Sequence, residues 1–224
     1  MKIAVCISGI AKNHAICCPS IKKNLIEPYN CDVFCSFWHK SEEESQILLH
    51  DYQAKLMEFE HFNDNYKKVF NDWPHPYIML ESHKTPINAI SMYYKIKRCN
   101  HLRRSWERQY GFKYDAIIRI RPDLELTSVP ILPKELSEKK IYIPSIEYGA
   151  CFGVNDQFFM CEPSTYDFIA DRMYEPIYKQ YAKVIPIHPE FFLAMYCFLN
   201  GVGVKSFDAT YRLLNDGGPG TNNL

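Results

Sequence analysis

The densest run of chemically useful side chains is Arg119-Ile120-Arg121-Pro122-Asp123-Leu124-Glu125, in which two guanidinium groups and two carboxylates alternate with other residues. Arginine presents a rigid fork of N–H donors that matches phosphate and carboxylate oxygens. An Asp-x-Glu pair offers hard oxygen ligands for Mg2+ or Mn2+, ions that commonly also take substrate phosphate oxygens. The segment therefore suits a phosphorylated ligand, with Asp123 and Glu125 as candidate metal ligands and Arg119 and Arg121 as candidate diphosphate contacts. The same spacing equally suits a surface network in which Arg119 and Arg121 pair with Asp115 and Asp123. Spacing alone leaves both readings open.

An element must aim these groups. Tyr114 to Pro122 reads as a strand, with Ala116, Ile118 and Ile120 on one face and Ile117, Arg119 and Arg121 on the other. Its charges gather at the carboxyl end, where open α/β sheets bind ligands. Further strands are expected at 2–8, 31–37, 55–60, 141–144, 157–161 and in VGVKSF. The first two are near-continuous apolar runs, as expected of strands covered on both faces. Helical patterns alternate with them: one ends near Glu27-Pro28, one follows the N-cap Ser41, and the longest opens at Pro86 and runs to about Tyr110-Gly111. A capping box of Ser164 and Asp167 predicts a helix to about Tyr181, kinked at Pro176, and Pro189–Leu199 predicts another, closed by Asn200-Gly201. The alternation predicts an α/β fold with a mixed, mostly parallel central sheet flanked by helices. Residues 61–85 fit neither period and read as a functional flap or loop, and 215–224 as a flexible tail.

Composition narrows the function. The 224 residues carry 26 basic and 26 acidic side chains, so no global field draws the chain to nucleic acid or acidic lipid, and any anion site must be local. The apolar stretches are too short for a membrane span, and nine cysteines, an odd count without zinc-ribbon spacing, fit a reducing cytoplasm. Ser8-Gly9-Ile10-Ala11-Lys12 can bring backbone N–H groups and a cation to phosphate, yet it matches neither GxGxxG nor the P-loop, which argues against dinucleotide dehydrogenases and P-loop kinases. The long helix is basic (Lys95, Lys97, Arg98, Arg103, Arg104, Arg108), either as a solvated face or with Arg98 or Lys95 serving a phosphate. Asp156 is either a turn aspartate or a group acting on acceptor or donor, and Glu190 stands in a helix first turn, where the dipole favours a carboxylate.

MKIAVCISGIAKN, YNCDVFCSFWH, the segment from Ser91 to Leu126, GVNDQFFMCEP and HPEFFLAMYCFLNGVGVKSF together resemble small glycosyltransferase-like proteins of large DNA viruses and bacteria, similar to the chlorella virus capsid-glycan glycosyltransferases. The resemblance spans Met1 to about Leu214 and implies a GT-A-like domain, with a nucleotide-sugar-binding half at 1–126 and an acceptor-binding half at 127–214. It implies a nucleoside-diphosphate-sugar donor, a glycan or other hydroxyl acceptor, and Mn2+ or Mg2+ at Asp123 and Glu125, although Glu125 departs from the family's Asp-x-Asp. Carried over by position, Ser8, Gly9 and Lys12 lie by the diphosphate, Trp38 borders the nucleotide, and Asn155 contacts substrate. Asp156 and Glu190 are its candidate catalytic residues, Glu190 as general base if the reaction inverts. A sugar-nucleotide nucleotidyltransferase and a non-catalytic nucleotide- or carbohydrate-binding module are the rival readings.

Overall fold

A computed structural model describes residues 1–39, 41–61, 86–145, 154–174 and 189–214. The loop expected at 61–85, the stretch between 175 and 188 with Pro176 and His188, and the tail from 215 lie outside the described residues, apart from His61.

A seven-stranded sheet runs through the protein in the order β3-β2-β1-β4-β7-β6-β8. Its strands are β1 (Ile3–Ile10), β2 (Asp32–His39), β3 (Leu56–His61), β4 (Ala116–Ile120), β6 (Lys140–Pro144), β7 (Phe158–Cys161) and β8 (Gly203–Phe207). Every neighbouring pair is parallel except those that β7 makes with β4 and β6. The expected mixed, mostly parallel sheet is the observed one. A separate ribbon pairs β5 (Leu124–Leu126) with β9 (Tyr211–Leu213), two three-residue strands too short to leave a period in the sequence.

Helices cover both faces. α1 (His14–Ile21) runs through a π-helical turn at Lys22–Ile26 into α2 (Glu27–Tyr29), and α3 (Glu42–Tyr52) starts at the expected cap, where the Ser41 hydroxyl accepts from the Glu44 amide. These pack with Ile3, Val5, Ile7, Ala116, Ile118 and Ile120 in one core. The opposite face of the sheet, with Ala4, Cys6, Phe34 and Ile117, packs under α4 (Pro86–Tyr110), α5 (Pro163–Arg172) and α6 (Pro189–Leu199). The two-face pattern of β4 is thus realised, and it places Arg119 under α4 and α5.

Two expectations about caps and charges need correction. Helix α5 is capped by Glu162, whose carboxylate accepts from the amides of Ser164 and Thr165 at 2.9 and 2.7 Å, because Pro163 takes the first helical position and sets Glu162 as the last extended residue. Asp167 is then free to reach Arg103 and Asn100 instead. The basic face of α4 is solvated only in part. Arg108 is exposed, whereas Lys95 and Arg103 are fully buried, and the half-exposed Arg98 and Arg104 bond Glu58 on β3 and Asp171 on α5, so four of the cations tie the helix to its neighbours.

Candidate functional site

The topology fixes where a ligand would sit. From β1 the sheet grows one way through β2 and the other way through β4, so the crevice beyond their carboxyl ends is a topological switch point. A cleft of about 460 Å3 opens there. Its walls take Ser8, Gly9 and Ile10 from the end of β1, Lys12 just beyond, Trp38 from β2, Arg119 and Arg121 from the end of β4, Asp123 from the turn that follows, Asp156 and Gln157 from the approach to β7, and Glu190 from the start of α6. Ala89, Ser91 and Met92 of α4 also line it, and α6 begins at this cleft, with Pro189 and Glu190 of its first turn on the wall and its positive dipole end there.

Local geometry explains the approach. Gly9 has φ of +129°, a conformation that side chains rarely adopt, and a Cβ there would point at Pro122 Cδ. The Trp38 indole N–H donates to the Ser91 hydroxyl at 2.7 Å, its ring stacks on Tyr94, and the Lys95 ammonium lies 4.2 Å from its ring centre. Lys95 itself pairs with Glu60 at 3.0 Å. Trp38 is therefore both packed and a wall of the cleft.

Arg119 is the decisive residue. Its side chain is fully buried, yet Nε, Nη1 and Nη2 all lack a hydrogen-bond partner. Burial lowers its pKa, and Tyr166 and Asp156 only partly offset this. The Ser8 hydroxyl and Asp156 Oδ2, in the same cleft, are also buried without partners. Leaving a buried polar group unpaired costs about 1–3 kcal/mol, and more for a charged one. Burial likewise raises the pKa of Asp156, against the pull of Arg121 and Arg119. Arg121, half-buried, clamps Asp123 with Nε to Oδ1 at 2.9 Å and Nη2 to Oδ2 at 2.7 Å. Burial opposes its charge, but Asp123, Asp156 and Glu190 outweigh burial and raise its pKa.

Of the residues singled out from sequence, the structure brings together Ser8, Gly9, Lys12, Trp38, Arg119, Arg121, Asp123, Asp156 and Glu190. Three do not join them. Glu125 is bonded by Arg212 across the β5–β9 ribbon, because the strand begins at Leu124 and its pairing with β9 fixes Glu125 beside Arg212. Arg98 is held by Glu58 at 2.6 Å. Asn155 accepts from the amides of Gln157 and Phe158 at 2.7 and 3.0 Å and donates to Tyr211, which shapes the turn that presents Asp156. The Asp123 and Glu125 pair thus does not converge on one point. Gln157, Ser91, Met92 and Leu213 were missed, being polar or apolar residues of no distinctive spacing.

The model of a family described as a domain of unknown function, DUF7796, matches residues 1–174. The chain belongs to the DUF7796 family. A search of curated proteins finds no match. Among solved structures the protein is similar to the glycosyltransferase GlyE of Streptococcus pneumoniae TIGR4, at 13% identity and a TM-score of 0.48, over 92% of this chain and 45% of that one. The chain spans less than half the length of that structure. No described helix is long and apolar enough to cross a membrane.

Proposed function

We propose that this DUF7796 protein is a glycosyltransferase that takes a sugar from a nucleoside-diphosphate donor to an acceptor hydroxyl. The observation that carries the proposal is the Arg119 guanidinium, fully buried on the cleft with every donor unmet. An oxyanion is the chemical complement of such a group, and a diphosphate leaving group is the species on which charge develops during sugar transfer. Lys12 and the N-terminus of α6 line the same cleft and favour the same charge. Asp156 and Glu190, from the 127–214 half that the resemblance gives to the acceptor, line the same cleft as Lys12, Arg119 and Arg121 and are candidates to take the acceptor proton if the anomeric centre inverts. The resemblance to GT-A-like viral and bacterial enzymes supports sugar rather than another group as the cargo.

The test is incubation of the full chain with UDP-, GDP- and dTDP-sugars and assay of the products. Free nucleoside diphosphate is the expected product. With inorganic pyrophosphate added, conversion of the nucleotide sugar to nucleoside triphosphate and sugar 1-phosphate would instead establish the nucleotidyltransferase reading, and binding without turnover the non-catalytic module.

A further inference from the structure

We infer that Arg121, clamped by Asp123 and set in one cleft with Asp156 and Glu190, is a built-in counter-cation for the ligand's diphosphate, so that the cleft binds a nucleoside diphosphate without a divalent metal. The inference rests on the nucleotide-sugar reading above and specifies how that site handles its charge.

Three features lead to it. First, the chelating approach to Asp123 is taken, since both oxygens accept from the Arg121 fork at 2.9 and 2.7 Å. A guanidinium in that position repels a second cation as well as displacing it. Second, the other half of the Asp-x-Glu pair is outside the cleft on Arg212, and among the described residues no three His, Cys, Asp or Glu side chains converge to hold a metal. The carboxylates that do line the cleft come from three places, the β4–β5 turn, the approach to β7 and the start of α6, and their negative field falls on Arg121. A permanent cation is already where three acids would otherwise repel an incoming phosphate.

Third, the clamp leaves donors to spare. A guanidinium has five N–H groups and Asp123 takes two, so three remain on a side chain that is 30% exposed and lines the cleft. Asp123 on this account is a positioning residue, which holds the fork in one orientation beside the deeper Arg119. Two guanidiniums in succession on one strand face would then meet the two phosphoryl groups, Arg119 at the floor and Arg121 at the mouth.

The experiment uses the full wild-type chain and UDP and GDP, with thermal stability read in EDTA and again in Mn2+, and Mn2+ binding read separately by electron paramagnetic resonance. The expected result is a nucleotide-dependent rise in melting temperature that is the same in EDTA and in Mn2+, and no Mn2+ held by the protein alone. A rise seen only with Mn2+, or Mn2+ bound by the protein alone, overturns the inference and leaves the nucleotide reading standing. No rise in either condition overturns both. Arg121→Gln, checked for folding by circular dichroism, is expected to lose at least tenfold in nucleotide affinity in EDTA; wild-type affinity in that variant also overturns it. Should the variant fail to fold, the wild-type comparison between EDTA and Mn2+ still decides.

Discussion

A buried charge without a partner is a liability that a folded chain carries only where it serves a ligand, and Arg119 is such a charge. If so, removing it should help the fold and harm the site. Arg119→Met fills a similar volume without the charge, and replacing buried ionic groups by apolar ones is often stabilising by about 1–4 kcal/mol. The expected outcome is a higher urea midpoint for Arg119→Met together with loss of nucleotide-induced stabilisation. A lower midpoint would assign Arg119 to the architecture instead. The residues of this segment were legible because period-two alternation sets Arg119 and Arg121 on one face. What alternation cannot reveal is which neighbour claims a charge: Asp123 and Glu125 look equivalent in sequence, and only the pairing of β5 with β9 delivers Glu125 to Arg212. Arg98 was misplaced for the same reason, its partner Glu58 lying on a strand 40 residues away.

At the scale of elements, the long strands and helices were legible and the short ones were not. Near-continuous apolar runs marked β1 and β2, and Pro86 marked α4, whereas three-residue β5 and β9 take their conformation from each other and not from local preference. Helix α4 also shows how a polar pattern can mislead. Arg103 donates to Asn100 at 2.9 and 2.8 Å, bonds Asp167, and lies 2.8 Å from Glu107 in an ion pair without hydrogen-bond alignment at Nη1. Both Arg103 and Glu107 are buried, so truncating one partner leaves the other's charge uncompensated. Arg103→Ala is expected to cost about 3–5 kcal/mol in chemical unfolding, the range for a broken buried pair. Arg108→Ala, whose exposed side chain bonds Ser105 on its own helix, should change stability by under about 0.5 kcal/mol.

Across the whole molecule, stabilising carboxylates on the edge strand β3 and at the cap of α5 contrast with a destabilised one at the ligand cleft, and this opposition should be visible in how stability follows pH. Burial alone would raise the pKa of Glu58, but its bonds to Arg98 and Ser36 outweigh burial and lower it below 4.5. The bonds from Ser164 and Thr165 do the same for the capping Glu162. A carboxylate whose pKa is depressed on folding contributes stability that is present above its unfolded value and lost as pH falls through its folded one. Both therefore weaken the fold in acid. Asp156 has the reverse sign: burial raises its pKa from 3.8, so its contribution is present below that value and is lost as pH rises through the folded pKa. Asp156→Asn removes this cost, and its urea midpoint should exceed that of wild type by a margin that widens from pH 4 to pH 8. Glu58→Gln should instead flatten the acid limb below pH 4.5 and leave the upper limb parallel to wild type. A margin for Asp156→Asn that stays constant with pH would mean that Asp156 keeps an ordinary carboxylate's affinity for its proton, and that the cleft does not hold its acids and arginines in the unbalanced state from which ligand binding draws.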